Sequence, residues 1–374
     1  MKILHICCNY ADTKVFKSLF SHLAAQGVAQ SVYVPEKRAG DMGKNLPEDG
    51  AYPVRYSLIV RPMDRLLYFT KARRALPDLL EKMDLADMTL VHAHTLFTDG
   101  GIAYRLHQRT GLPFVVTLRF SDIEYFFKYE PHLRPYALRM LRAASRVLFL
   151  SPVHRDRVLS RYVPAGDREV ILKKSAVVPN GIEEAWLTGR PHALPEGRLR
   201  IAFAGKLTAR KQPERAMAAA ELLAQRLPGR RVTVHLAGDG ELREKLSLSP
   251  SVRTGRAELL GRVEGMQALQ SFYDGCDLLL VPSTAETFGM VYLEAMSRGL
   301  PVLYTRGQGF DGQFPEGDVG FHVDAGDVSD MADKAAACLK GYEARSARCV
   351  ERARSLAWPR VAERMRDIYR EAGA

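Results

Sequence analysis

Apolar residues recur along the chain in two alternating rhythms. Short continuous apolar runs lead into a polar turn, and after it apolar residues return every three or four positions. The runs read as strands buried on both faces, and the periodic stretches as helices with one face against a sheet. In the first half this predicts strands over Ile3–Cys8, Ser31–Pro35, Tyr56–Val60, Thr89–His94, Phe114–Leu118 and Val147–Leu150. In the second half it predicts Arg200–Ala204, Val232–Ala237, Glu258–Gly261, Leu278–Pro282, Val302–Thr305 and Gly320–Val323. Helices between them include Val15–Gln26, Pro213–Arg226, Met266–Asp274 and Val328–Lys340. The alternation describes an α/β chain with two Rossmann-like, doubly wound parallel sheets. Pro and Gly crowd between Asn180 and Pro195, so the join is expected there, with domains over 1–183 and 184–357 and a last helix over 358–374.

Ligands of doubly wound sheets bind outside the carboxyl ends of the strands, so both sheets are expected to face a shared central cleft. The most informative segment at such an end is Pro282–Ala295. It follows the buried run Cys276–Val281 and turns into a helix expected from about Phe288, which stops at Gly299-Leu300-Pro301. Glu286 then lies in the loop above the strand, and Glu294 lies in the helix. Between them the amides of Phe288, Gly289 and Met290 stand at the positive end of a helix dipole, a place suited to phosphate. Carboxylates on either side can accept hydrogen bonds from hydroxyl groups. Together these features describe a grip on a nucleotide sugar. Two glutamates alone are more often a solvated helix face, so other segments must carry the choice.

Gly205-Lys206-Leu207-Thr208-Ala209-Arg210-Lys211 follows a buried strand and offers two cations on one loop. Cations there can stabilise the charge that grows on a diphosphate leaving group. Val178-Pro179-Asn180-Gly181-Ile182-Glu183, Ala237-Gly238-Asp239-Gly240 and Leu259-Leu260-Gly261-Arg262-Val263 follow as further landmarks. Their order resembles glycosyltransferase family 4, with its GT-B fold, over nearly the whole chain and most clearly from Val178 onward. The family's loop has Arg where this chain has Lys206, a point charge in place of a planar fork. The resemblance implies donor binding by Gly205, Phe288, Gly289, Met290, Glu294, Arg262, Val263 and Asn180, with Glu286, Lys206, Lys211 and Arg119 at the reacting centre. It implies a last helix that returns to the first domain, and transfer with retention that needs no metal or cofactor, the nucleotide sugar being a co-substrate. UDP is the favoured nucleotide.

In the first domain, Thr117-Leu118-Arg119-Phe120-Ser121-Asp122 ends a strand. The family usually carries a histidine where Arg119 stands. An arginine cannot act as a base near neutral pH but can pin a phosphate or carboxylate. Arg119 is therefore read as a contact to the donor or to an anionic acceptor, against the alternative of a structural pair with Asp122 or Glu124. Asn9, Tyr10 and Thr13, in a first turn without the family's glycines, join His94 and Asp122 as acceptor-side candidates. His92-Ala93-His94 lacks a third ligand in sequence, so no metal is expected. Gly307-Gln308-Gly309-Phe310-Asp311-Gly312 matches a dinucleotide fingerprint only formally, because no helical pattern follows, and it reads as a flexible loop.

The formal net charge is +11. Residues 1–185 carry 27 Lys and Arg against 19 Asp and Glu, and the remainder 27 against 24. Six basic residues (Arg55, Arg61, Arg65, Lys71, Arg73, Arg74) cluster with Leu66, Leu67, Tyr68 and Phe69 and a single acid, Asp64. Such a stretch can rest on an anionic leaflet, or can be a helix with a solvated basic face. No nucleic-acid module is recognisable. Five scattered cysteines suit a reducing compartment, no run spans a membrane, and the N-terminus reads as a strand instead of a signal peptide. The expectation is a cytoplasmic enzyme, peripheral on the inner membrane face, that glycosylates a lipid-linked, saccharide or otherwise anionic acceptor for cell-surface polysaccharide or glycolipid. A sugar-nucleotide epimerase or phosphorylase of like fold, and a non-catalytic polyanion-binding protein, are the alternatives. Because no Asp-x-Asp pair occurs, a metal-bridged diphosphate is unsupported.

Overall fold

A computed structural model describes residues 1–48, 50–65 and 68–374 of the 374-residue chain. It forms two compact units: residues 1–181 with 358–374, and residues 182–357. The breaks fall after Gly181 and after Ala357, the first of them two residues before the expected 183/184 position.

The first unit holds seven strands: β1 (Lys2–Ile6), β2 (Ala29–Glu36), β3 (Val54–Leu58), β4 (Leu90–Ala93), β5 (Phe114–Leu118), β6 (Arg146–Phe149) and β7 (Ser175–Val177). All pair in parallel, in the order β3-β2-β1-β4-β5-β6-β7. Successive residues alternate between two cores, as a two-residue period dictates. Leu4, Ile6, Val91 and Val116 enter one core. Ile3, Val32, Leu90 and Val115 enter the other. β7 has no apolar run of its own, because its three residues are all only half-buried, so periodicity misses it.

The helix Trp358–Glu371 belongs to this unit. Its Val361, Ala362, Met365 and Tyr369 share a core with Phe16, Leu19, Phe20 and Leu23 of the helix Lys14–Ala25. Trp358 lies so close to Gly181 that a Cβ there would sit 2.5 Å from the indole ring, so only glycine fits.

The second unit holds β8 (Arg198–Ala204), β9 (Arg231–Ala237), β10 (Ala257–Gly261), β11 (Leu278–Leu280), β12 (Val302–Thr305) and β13 (Gly320–Val323), in the parallel order β10-β9-β8-β11-β12-β13. On one side the helix Pro213–Arg226 packs Ala216, Ala220 and Leu223 inward and lies against the helix Val328–Leu339. In both sheets the strand order reverses once, between β1 and β4 and between β8 and β11. Diverging crossovers leave a crevice at each reversal, at the carboxyl ends of the strands.

The basic stretch of residues 55–74 does not form one face. Arg55 lies on β3, Pro62–Arg65 form a single turn, and Tyr68–Lys82 form a helix. Tyr68 points inward and donates to the Phe97 carbonyl at 2.7 Å. Lys71 is buried, and Arg74 pairs with buried Asp64 at 2.6 Å. Leu66 and Leu67 lie outside the described residues. Among the described residues no helix is long and apolar enough to cross a membrane.

Candidate functional site

In the second unit three loops close over the strand ends by backbone hydrogen bonds. Gly205 N–H donates to Ala237 (3.0 Å), Leu207 N–H to Asp239 (3.0 Å) and Gly238 N–H to Gly261 (2.7 Å). A Cβ on Gly238 would sit 1.8 Å from the Gly205 carbonyl oxygen, so the two glycines allow this approach. The lysine loop is tied to the next loop as well, through Thr284 N–H donating to the Arg210 carbonyl at 2.9 Å. Lys211 is thereby delivered to Glu286, and the two side chains form an ion pair. Both are largely enclosed, at 13% and 14% side-chain exposure, where Coulomb attraction is screened less than at the surface. Lys206 points to solvent.

Gln212, next to Lys211, adopts the left-handed backbone conformation (φ 52°, ψ 51°). That conformation is uncommon for a side chain larger than glycine and must be held by its surroundings. Two carbonyls face its amide, so the nitrogen donates to Pro282 (3.0 Å) and Ala325 (2.8 Å). Glu286 is pinned from the far side too. Its N–H donates to Gln308 Oε1 at 3.0 Å, and its carbonyl accepts from Gly309 N–H at 3.1 Å. The Gly307–Gly312 segment is therefore not a loose loop. Its Phe310 is buried against Phe288, Tyr292 and Tyr304, and these contacts anchor it.

The helix runs Met290–Ser297, two residues later than expected, because Gly289 at φ 85° breaks the turn that would have started at Phe288. The Phe288 side chain is core, so only its backbone faces the site. At this helix start the Tyr292 amide donates to the Gly289 carbonyl at 3.0 Å, and the amides before it have no intrahelical acceptor. One helical turn on, Glu294 accepts a hydrogen bond from Tyr273 Oη at 3.2 Å. Burial raises its carboxyl above the usual range, opposed by that hydrogen bond. Gly261 closes the next strand end, where Val263 is half-buried and Arg262 is exposed in an ion pair with Glu264 at 3.1 Å. The second unit thus gathers Gly205, Lys206, Lys211, Glu286 and the Gly289 turn around one reversal point, with Arg262 and Val263 on the same edge. Asn180 is not among them. It lies in the first unit, in the wall of a small cavity of about 20 Å³ with His92, His94, Thr117, Arg119 and Trp358.

In the first unit several acceptor-side candidates have structural roles instead. Asp122 is wholly buried and accepts from three backbone amides: Leu96 (3.1 Å), Phe97 (2.9 Å) and Arg119 (2.8 Å). Burial, partly offset by those bonds, raises it to about 6. Tyr10 is wholly buried, its hydroxyl donating to the Asn45 carbonyl at 2.7 Å and meeting Tyr52 Oη at 3.0 Å. Thr13 caps the helix Lys14–Ala25. Arg119 pairs with neither Asp122 nor Glu124 through its side chain. Its Nε donates to the His94 carbonyl at 3.0 Å and its guanidinium lies 4.4 Å over the Phe16 ring, while Glu124 pairs with Arg157.

His94 belongs to a buried knot that includes His5, which the spacing of His92 and His94 could not reveal. Gln30 Nε2 donates to the Phe20 carbonyl (2.5 Å), so its oxygen faces His5 Nε2 (3.0 Å), which carries the proton. His5 Nδ1 then accepts from His94 Nε2 at 3.0 Å, leaving His94 Nδ1 buried with no partner. His92 meets Tyr369 Oη (2.7 Å) and Thr117 Oγ1 (2.8 Å). The ring nitrogens of the three histidines, all but one, are spent on hydrogen bonds. Burial lowers His5 to about 3 and His92 and His94 well below their usual value, so all three are neutral.

Asn9 lies in the wall of a second cavity, of about 660 Å³, with Cys8, Glu36, Arg38, Arg61 and Lys71. Lys71 is 9% exposed and makes no hydrogen bond or ion pair among the described residues. The sequence places it in a surface charge cluster, and only its burial singles it out.

Two Rossmann-like parallel sheets, one with paired cation and carboxylate at its reversal point, define a GT-B glycosyltransferase. The chain belongs to glycosyltransferase family 4: residues 13–172 match the glycosyl transferase 4-like domain and residues 186–356 match glycosyl transferases group 1. It is 26% identical over 351 residues to the D-inositol 3-phosphate glycosyltransferase of Arthrobacter sp. (strain FB24), covering 85% of this chain and 79% of the relative. The enzyme of the same name from Paenarthrobacter aurescens is 25% identical over 386 residues, covering 95% and 91%. Among solved structures, sucrose-phosphate synthase from Thermosynechococcus elongatus shares the fold with a TM-score of 0.75 at 19% identity, over 99% of this chain and 98% of that one. Anabaena HepE in complex with UDP does so with a TM-score of 0.71 at 18% identity, over 99% and 100%.

Proposed function

We propose that this glycosyltransferase moves a hexosyl group, with retention and without a metal, from a UDP-sugar to a hydroxyl of an anionic acceptor. The observation that carries this reading is the enclosed Lys211–Glu286 pair at the reversal point of the second sheet. When a donor enters, Glu286 accepts hydrogen bonds from sugar hydroxyls and Lys211 turns to the diphosphate. Lys206 and the amides at Gly289 and Met290 add positive potential there. As the bond between the anomeric carbon and the diphosphate oxygen breaks, negative charge grows on that oxygen and these groups stabilise it. Glu294 takes the ribose hydroxyls. Retention and independence from metal follow the family resemblance, and UDP is supported by the HepE complexes with UDP and UDP-glucose.

An anionic acceptor is supported by Lys71, which is buried on the wall of the first unit's larger cavity without a hydrogen bond or ion pair among the described residues, its charge felt by buried Asp99. A charge so placed lacks direct hydrogen-bond acceptors, and a phosphate or carboxylate in the cavity would supply them. The relatives named for D-inositol 3-phosphate act on a phosphorylated acceptor, in line with this. Leu58, Met63 and Phe69 are exposed, as are Arg55, Arg61 and Arg73, spread over β3, a turn and the helix Tyr68–Lys82. Exposed basic and apolar side chains of this kind suit contact with an anionic inner leaflet and a lipid-linked acceptor for cell-surface glycan.

The test is a panel of nucleoside diphosphate sugars scored by thermal stabilisation, then turnover with neutral and phosphorylated acceptors and the product anomer read by NMR. A UDP-sugar should stabilise the protein and give the retained anomer on a phosphorylated acceptor. No stabilisation by any donor, or an inverted product, overturns the reading.

A further inference from the structure

The second unit carries another concentration of chemistry, most of it away from its strand carboxyl ends. A cavity of about 700 Å³ is lined by Arg198, Arg200, Arg231 and Arg243, with His235 and Glu258. Arg198 and Arg231 are direct register partners on β8 and β9, and like charges facing each other across a ladder are destabilising. His235 and Glu258 are likewise register partners on β9 and β10 and hydrogen-bond at 2.9 Å, so the one carboxylate in the wall is already engaged by the imidazole.

The guanidinium groups are short of acceptors. Arg198 Nη1 and Arg243 Nη1 are buried and make no hydrogen bond; Arg198 Nη1 forms a long ion pair with Asp277 at 3.7 Å, and Arg243 Nη1 lies beside Gly261. Buried donors nearly always find a partner, so each of these nitrogens has room for a further acceptor oxygen. Arg200 stands five residues before Gly205 on the β8 line, roughly 16 Å along an extended strand, so the Arg198, Arg200 and Arg231 end of the cavity is apart from the lysine loop, whereas the Arg243 end reaches Gly261.

We propose that this cavity is a second anion site that takes a small phosphorylated polyanion, centred on Arg198, Arg200 and Arg231 and served by groups other than the lysine loop. Planar guanidinium groups suit phosphate oxygens, which they bind two at a time. The size of the cavity and the four arginines fit a diphosphate-sized group better than a single small anion. Occupancy would relieve the Arg198–Arg231 repulsion and bridge β8, β9 and the segment carrying Arg243.

Inorganic pyrophosphate is the probe, titrated calorimetrically into the full-length protein at low salt. The Lys206→Ala/Lys211→Ala variant isolates this site from the donor loop and should retain pyrophosphate binding that weakens as NaCl rises. Adding Arg198→Gln and Arg231→Gln should lower that affinity by at least about tenfold, because charge-assisted hydrogen bonds are lost. Arg243→Gln alone, which leaves the strands untouched, should lower it too. Thermal denaturation without ligand checks that each variant is folded. Loss of all pyrophosphate binding in the lysine variant, or unchanged affinity in the arginine variants, overturns the proposal. Retention on phosphatidylglycerol vesicles without any response to free pyrophosphate would also overturn it, since the cavity would then be serving a lipid surface.

Discussion

Lys211 and Glu286, 75 positions apart in the chain, meet as an enclosed ion pair where β8 and β11 diverge. Each is held by its own set of ties: Lys211 by the strained Gln212 beside it, Glu286 by Gln308 and Gly309. A pair so constrained holds both side chains at the strand end before any ligand arrives, so that only Lys211 has to turn when a diphosphate enters.

Glu286→Ala should therefore lower turnover at least about tenfold, equivalent to about 1.4 kcal/mol at the transition state. Lys211→Ala should weaken nucleoside diphosphate binding far more than nucleoside binding, because the lost contact is to phosphate. Steady-state kinetics and calorimetry read the two. Full activity in a folded Glu286→Ala variant would remove Glu286 from the reaction.

Glu294 supplies a pH signature. Burial raises its carboxyl, and ribose hydroxyls need the ionised form as acceptor. UDP affinity should fall as pH drops through the raised value, and Glu294→Gln should flatten that fall. Calorimetric titration from pH 7.5 down to about 5 measures it. An unchanged slope in the variant would make Glu294 only a partner for Tyr273.

Lys71→Met keeps the buried stem and removes the charge. The variant should raise KM for a phosphorylated acceptor at least about tenfold, since charge-assisted bonds to phosphate are among the strong ones, while KM for the donor stays near wild type. If both constants rise together, the change has disturbed the first unit as a whole.

Acid stability follows from the buried histidines. His5 is lowered to about 3 and His154 to about 4, with His92 and His94 also well below 6.5, so the unfolded chain binds four protons that the folded chain refuses. For these groups stability is lost as pH falls below the unfolded value. Asp99 and Asp122, both raised to about 6, act oppositely: the folded chain holds their two protons where the unfolded chain releases them. Among these groups the histidines outnumber the carboxylates, so the unfolded chain binds more protons and stability falls as pH drops below about 6. Urea midpoints across that range check it, and a flat profile would mean that the histidines are not neutral in the folded state.

The strand pattern, the parallel α/β class and the order of the loops were all legible in the chain. Buried strands must be continuously apolar and their helices periodic, whatever the rest of the molecule does. Lys206, Lys211, Glu286 and Glu294 could be picked out because each stands at a fixed distance from such a run. Boundaries moved where a glycine decided them, as Gly289 delayed its helix by two residues. Tertiary structure alone decided which polar groups are free. Asp122 and Tyr10 read as available side chains, yet backbone amides and hydroxyls from other segments consume them. Lys71 read as one charge in a surface cluster, yet the fold buries it beside a cavity. His5, Gln212 and Gln308 gave no local signal, because their roles lie in contacts with residues far along the chain. Period and spacing record which way a side chain starts out, whereas what it meets there depends on segments brought together only by folding.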